Sequence, residues 1–131
     1  MSRLIVLLCC AGFGMSLSAA TAPPAEVRPL LTRALPDVPG KEVTMLVVEY
    51  PPGGASPSHR HDADTFVYVL EGSVVMQVAG GAEQVLRAGD TFYETPQDVH
   101  VTSRNASATA PAKFLVFMLK RVGAPATRPA T

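Results

Sequence analysis

Cysteine is almost absent from this sequence, and neither sign of charge is in excess. The 131 residues contain two cysteines, Cys9 and Cys10, and 11 basic side chains against 11 acidic ones. No run of basic residues occurs. The composition therefore gives no electrostatic basis for binding nucleic acid or an anionic membrane surface.

The first 20 residues have the features of a secretory signal peptide. Arg3 gives a positive start, residues 4–17 form an uncharged apolar stretch, and residues 18–20 are small enough for a cleavage site. We expect residues 1–20 to be removed and the protein to be periplasmic or secreted, with no stable membrane span afterwards. The alternative is an uncleaved anchor, although the apolar stretch is short for a membrane span.

Both cysteines would leave with this segment. The mature chain would then have no disulfide, no thiolate ligand and no cysteine nucleophile. Loss of Arg3 would leave one more acidic than basic side chain. The remaining chain, about 110 residues, fits a single domain. Without disulfides, an exported domain of this size depends on its core, a metal or a partner subunit.

The two ends of the mature chain differ from its middle. Residues 21–40 form a Pro-rich arm, in which the Leu-rich stretch 30–35 is either one or two helical turns or extended. We expect this arm to pack on the domain or on a neighbouring subunit, which favours a homodimer. Residues 123–131 are rich in Ala, Pro and Thr and are predicted to be a disordered tail.

Residues 41–122 are predicted to be an all-β domain. Short β-branched and apolar stretches alternate with Gly/Pro turns, and no helical periodicity interrupts them, which is typical of a sandwich or barrel. Along the stretch 65–70 both faces are apolar, so this strand is predicted to lie between two layers. The predicted strands are residues 43–50, 65–70, 73–78, 83–87, 91–94, 99–104 and 113–119.

The histidines are the candidate functional residues. His59 and His61 are two residues apart on an extended segment, so their side chains point to one face. His100 also follows a turn and begins a strand. Imidazoles that converge on a barrel interior suit a transition metal better than they suit ordinary packing. The alternatives are a solvated loop and a polar pocket without a metal.

These residues carry a resemblance to the cupin superfamily. Gly53, His59, His61 and Gly72 resemble its first motif. A second group of residues resembles its second motif: Gly89, Asp90, Pro96, His100 and Asn105. The resemblance implies a double-stranded β-helix, which is a small jelly-roll-like barrel, with a metal site in its mouth. It also implies a divalent transition metal (Fe, Mn, Zn, Ni or Cu) bound near a small-molecule ligand or substrate.

The sequence departs from the first motif at one position. Thr65 stands where the family pattern has a ligand Glu, and Thr is a poor metal ligand. Two arrangements are open. The site is made by His59, His61 and His100 alone, or Glu94, on the predicted strand before Pro96, supplies a carboxylate beside them. Glu94 is the one candidate catalytic residue. The alternative interpretation is that Glu94 is an ordinary carboxylate on the protein surface.

The expected function is metal-dependent chemistry on a small molecule, by a dioxygenase or by an isomerase or lyase. The alternative is a non-catalytic periplasmic module that binds a metal or small molecule. The fold does not decide between them, because one fold hosts many functions.

Overall fold

A computed structural model gives the structure of residues 20–131. The predicted signal peptide, apart from Ala20, lies outside the described residues. Residues 20–131 form strands and no helix, so none that could cross a membrane. In chain order the strands are β1 Glu26–Ala34, β2 Lys41–Tyr50, β3 Ala55–Ser56, β4 His59–Arg60, β5 Ala63–Glu71, β6 Ser73–Val78, β7 Gln84–Arg87, β8 Thr91–Glu94, β9 Val99–Asn105, β10 Ala112–Arg121 and β11 Arg128–Pro129.

Two antiparallel sheets make up the domain. One has the order β1-β2-β10-β5-β8, and the other has the order β11-β4-β9-β6-β7, with β3 also paired to β9. The sequence prediction of an all-β barrel is therefore confirmed. The turn between β5 and β6 depends on Gly72, whose φ is 69°. A Cβ at this position would lie 2.5 Å from the carbonyl oxygen of Pro111.

The core lies between the sheets. Alternate residues of β2, β5 and β10 point inward, as the period of two in a strand requires. Val69, Val74 and Met76 are fully buried, and Tyr50 and Met118 are 1 % exposed. The core gives the site a rigid, largely apolar support.

The outer face of β5 differs from the prediction. The expectation that this strand lies between two layers was wrong, because Phe66, Tyr68 and Leu70 are 47, 46 and 40 % exposed. Tyr93 of the neighbouring β8 is 48 % exposed and its ring lies 5.1 Å from that of Phe66. The five-stranded sheet thus has an apolar inner face and an aromatic outer face that no described residue covers.

Both ends of the chain pair with the domain. The Leu-rich stretch is extended, since it lies in β1, which pairs with β2. Leu30 and Leu31 nevertheless remain 44 and 42 % exposed. The C-terminal residues, predicted as a disordered tail, return to the domain in the structure, where Arg128 and Pro129 pair with β4. Composition misses this return because the contacts are backbone pairing, one ion pair and a hydrogen bond to the backbone carbonyl of Ala126.

Candidate metal centre

The three histidines predicted as ligands meet inside the domain. His59 lies in β4 and His100 in β9, and the two residues are direct partners across this antiparallel pair. His61 follows β4, so it projects to the same side as His59. One ligand atom from each imidazole lies within 4.8 Å of the others. His61 and His100 are 8 and 3 % exposed.

Hydrogen bonds fix the orientation of two of the rings. Nδ1 of His59 lies 2.8 Å from the carbonyl oxygen of Pro57, and Nδ1 of His61 lies 2.6 Å from that of Ala126. A carbonyl oxygen can only accept, so each Nδ1 carries the proton and donates it. The Nε2 lone pairs of both rings are therefore free. This is the arrangement in which a histidine binds a metal while its second nitrogen is held by a carbonyl.

Two further features of the imidazoles suit metal binding: the unpartnered nitrogens of His100 and the lowered pKa of His59. Neither ring nitrogen of His100 has a hydrogen-bond partner, although both are buried. Burial lowers the pKa of His59, and the neighbouring His61 and His100 act in the same direction, against the hydrogen bond to Pro57. A lowered pKa keeps His59 neutral at neutral pH, and the neutral imidazole is the form that binds a metal.

Glu94 is inside the domain, not on its surface. It is 2 % exposed at the end of β8. Its Oε1 lies 3.3 Å from Nδ1 of His100, and its Oε2 lies 3.8 Å from Nε2 of His61. The second distance matters because Nε2 of His61 is the nitrogen with the free lone pair. The carboxylate and this lone pair therefore face the same space.

Thr65 and Glu94 occupy opposite positions on neighbouring strands. They are direct partners across the β5–β8 pair, and both point inward. The Thr65 hydroxyl is fully buried and has no hydrogen-bond partner. The carboxylate that the first motif lacks at Thr65 is thus present one strand away. The sequence identified Glu94, but only the strand register brings it opposite Thr65.

A cavity of about 320 Å³ adjoins the histidines and Glu94. This volume suits a small molecule, since it lies at the lower end of the range for ligand pockets. Its walls are mainly apolar, formed by side chains such as Leu46, Val67, Phe114 and Met118. Tyr50, Ser56 and Ser103 add a group of hydroxyls that the sequence analysis did not single out, because isolated Ser and Tyr residues carry no motif.

The C-terminal segment, residues 123–129, forms one wall of this site. Ala126 supplies the carbonyl that holds His61, and it lines the cavity together with Thr127. Arg128 makes two hydrogen bonds of 2.8 and 2.9 Å with the carboxylate of Asp62. Sequence reasoning missed the role of Ala126, for which no signal exists because a backbone carbonyl is common to all residues.

Taken by its donor chemistry, the site fits a divalent transition metal. Three imidazoles and one carboxylate are donors that Fe, Mn, Zn, Ni and Cu accept. Nδ1 of His100 faces the Glu94 carboxylate, but leaving the buried Nε2 of the same ring without a polar partner would be costly. A divalent transition metal ion is the partner that these donor atoms fit.

Comparisons with known proteins identify the family. The family model for the cupin domain matches residues 46–118, and the chain therefore belongs to the cupin family. This range contains all three histidines, Thr65 and Glu94. No curated protein matched the chain significantly.

Solved structures with the same fold include enzymes and a separate cupin domain. A cupin domain from Bordetella pertussis Tohama I is 20 % identical, with a TM-score of 0.62, over 78 % of this chain and 99 % of that one. Oxalate oxidase in complex with the substrate analogue glycolate is 25 % identical, with a TM-score of 0.59, over 76 % of this chain and 52 % of that one.

The DMSP lyase DddQ from Ruegeria pomeroyi DSS-3 is 23 % identical, with a TM-score of 0.59, over 67 % of this chain and 43 % of that one. The chain thus matches about half the length of each of these two enzymes. The likeness shows the shared barrel.

Proposed function

We propose that this protein binds a divalent transition metal through His59, His61 and His100 and is a metal-dependent enzyme that acts on a small molecule. One observation carries the proposal. Three imidazoles with free nitrogens converge beside a buried carboxylate, at the wall of a cavity large enough for a small ligand. A polar site built only for packing would pair these nitrogens with hydrogen-bond donors or acceptors.

The residues divide into two roles. His59, His61 and His100 would hold the ion, which when bound would act as a Lewis acid on a substrate oxygen. Glu94 is close enough to the same space to accept a proton from the substrate and return it. This combination favours an isomerase or lyase, in which a C–H proton is removed next to a carbonyl group.

A dioxygenase is the second candidate reaction. A site with three histidine ligands and no carboxylate ligand leaves positions open for a substrate and O₂. Glu94 decides between the candidates, because proton abstraction requires its carboxylate and a dioxygenase does not. The lyase and the oxidase among the structures of similar fold are compatible with small-molecule chemistry. The choice between the two candidate reactions of this protein rests on Glu94.

Metal content is the first experiment. We expect about one equivalent of a transition metal by elemental analysis of protein from an export-competent host. His61→Ala should abolish it, and Val101→Ala, on the outside of β9, should not, since Val101 is 40 % exposed. Unchanged metal content in His61→Ala would contradict the assignment.

Turnover is the second experiment. In D₂O, the metal-loaded protein should exchange C–H protons of small ketones or 2-oxo acids, followed by NMR. Glu94→Gln should lose the exchange but keep a folded, ligand-binding protein. Oxygen uptake with a diketone and thiol panel tests the dioxygenase. Bound metal without exchange or oxygen uptake would favour the alternative, a non-catalytic periplasmic binding module.

The cellular location is a separate proposal, based on the sequence of the first 20 residues. We propose that these residues direct export and are removed, so that the protein works in the periplasm or outside the cell. Mass spectrometry of the exported protein tests this, because an intact N terminus would contradict cleavage.

We also propose that the protein is a homodimer. The exposed aromatic face formed by Phe66, Tyr68 and Tyr93, and the exposed Leu30 and Leu31 of β1, would be covered by a second copy. Phe66→Lys should convert the dimer into a monomer in size-exclusion chromatography with light scattering. A wild-type protein that is already monomeric would refute the proposal.

A further inference from the structure

A group of three hydroxyls lies in the same cavity as the histidine cluster. The Tyr50 hydroxyl is 2.7 Å from Oγ of Ser56 and 2.7 Å from Oγ of Ser103. Ser56 and Ser103 are direct partners across the β3–β9 pair. Tyr50 is 1 % exposed and Ser103 is 6 % exposed, and Ser56 is half-buried, so the domain largely encloses the group.

These hydroxyls do not use up their own hydrogen-bonding capacity. Three O–H groups supply three donors, and the two hydrogen bonds among them use only two. One donor is therefore left over, together with acceptor lone pairs. Burial raises the pKa of Tyr50, so this phenol keeps its proton at neutral pH. A ligand oxygen is the partner that a leftover donor in a cavity can serve.

An irregularity in β9 brings the hydroxyls to the side of the sheet that faces the histidines. His100 and Ser103 are three positions apart, so a regular strand would point them to opposite faces. The register of β6 against β9 shifts between Gln77 and Val78, and both His100 and Ser103 are buried against the cavity. Extra residues of this kind often re-aim a side chain next to an active site.

The charge of the lining limits what can bind. Among the described residues that line the cavity, none is Lys or Arg, and Glu94 is the one carboxylate. A second anionic group on a ligand would have no cation to meet, and burying it unpaired would be costly. The hydroxyl end of the cavity therefore suits an uncharged oxygen, such as an alcohol or a carbonyl.

We propose that Tyr50, Ser56 and Ser103 form a second polar subsite, which binds the distal, uncharged oxygen of a small ligand whose other end lies at the histidine cluster. This inference rests on the proposed metal site. His100 and Ser103 are the partners of Val78 and Met76, which are two residues apart on β6, so the two residues are about 7 Å apart along the sheet. A flexible four-carbon ligand with an oxygen at each end can span this separation.

Three probes with the same four-carbon chain test the subsite by NMR titration of the zinc-loaded protein from the export-competent host. Butanoate has only the group that binds at the metal, 4-hydroxybutanoate adds a distal hydroxyl, and succinate adds a distal charge. We expect 4-hydroxybutanoate to bind about 2- to 10-fold more tightly than butanoate, the gain typical of one net hydrogen bond. Succinate should show no such gain.

Tyr50→Phe and Ser103→Ala should each remove the advantage of 4-hydroxybutanoate and leave the affinity for butanoate unchanged. Butanoate thereby reports whether the variant is folded and loaded. Equal affinities of the two probes for wild type, or tighter binding of succinate, would overturn the subsite. Failure of the wild type to retain zinc would overturn the metal site and the subsite with it.

Discussion

Glu94 and Thr65 should be exchangeable as positions for the carboxylate of this site. They are direct partners on neighbouring antiparallel strands and both point inward. Directly opposite residues have Cβ atoms about 5 Å apart, a difference that a Glu side chain can make up with another rotamer. We therefore predict that Thr65→Glu combined with Glu94→Thr restores what Glu94→Thr alone loses.

The size of the loss follows from the position of the carboxylate. Glu94 contacts both His61 and His100, at 3.8 and 3.3 Å. Removing a group in such contact with metal-binding histidines typically lowers metal affinity 10- to 100-fold, which corresponds to about 1.4 to 2.7 kcal/mol. We expect Glu94→Thr to lose metal affinity in this range. The exchanged double variant should bind the metal at least about tenfold more tightly than Glu94→Thr alone.

The assay is metal competition with a chromophoric chelator, run alongside thermal unfolding of the metal-free proteins. Thr65→Val is the matched control, because it removes the unpartnered hydroxyl but leaves Glu94 in place. It should keep wild-type metal affinity. A Glu94→Thr variant with wild-type affinity would refute the role of the carboxylate. A folded double variant with no recovery would refute the equivalence of the two positions.

Three further predictions concern stability. Gly72→Ala should destabilise the fold by about 2 to 4 kcal/mol in chemical denaturation, because Gly72 has a φ of 69° and a Cβ would lie 2.5 Å from a carbonyl oxygen. Gly80→Ala, with a φ of 82° and open space, should cost only about 1 to 2 kcal/mol, and equal effects would contradict the clash. Asn105→Ala should lower the free energy of unfolding by about 2 to 4 kcal/mol in the same assay, because the buried amide donates to two backbone carbonyls and accepts from one backbone N–H. A decrease under about 0.5 kcal/mol would contradict this role. The hydrogen bond from Arg128 lowers the pKa of Asp62, so its contribution to stability is complete above the unfolded pKa of about 4 and is lost as pH falls through the folded value. Asp62→Asn should flatten this acid loss, as read from unfolding midpoints between about pH 2 and about pH 6, and an unchanged pH profile would exclude the ion pair.

The alternation of apolar residues with Gly/Pro turns was enough to predict the longer strands within residues 41–122, but β1 was left open between helical turns and an extended segment. Predicted residues 73–78 and 91–94 coincide with β6 and β8, and the other predicted strands differ from the observed ones only at their ends. The short strands β3 and β4 were not predicted, because two-residue segments have no periodicity. The outer face of β5 was misread, since an apolar face is compatible with a covering layer and with an exposed surface.

The candidate site was predictable where a motif carries it and not where folding brings residues together. His59, His61 and His100 follow turns at recognisable spacings. Ala126 contributes through its backbone, and Tyr50 meets Ser103 from 53 positions away in the sequence. Such contacts depend on the order of the strands in each sheet and on how the two sheets pack against each other, which the patterns in a single sequence do not specify.

The Thr65–Glu94 pair explains why a linear motif can misjudge this site. A motif counts positions along one strand, and on β5 the position for the carboxylate is held by a threonine. A metal responds to atoms in space, and across an antiparallel pair the partner residue points into the same space. Because Thr65 opposes Glu94, moving the carboxylate from β5 to β8 changes the strand that supplies it but leaves its side of the barrel unchanged. A search for the missing carboxylate in such a barrel should therefore examine the cross-strand partner of the motif position before the site is judged to lack one.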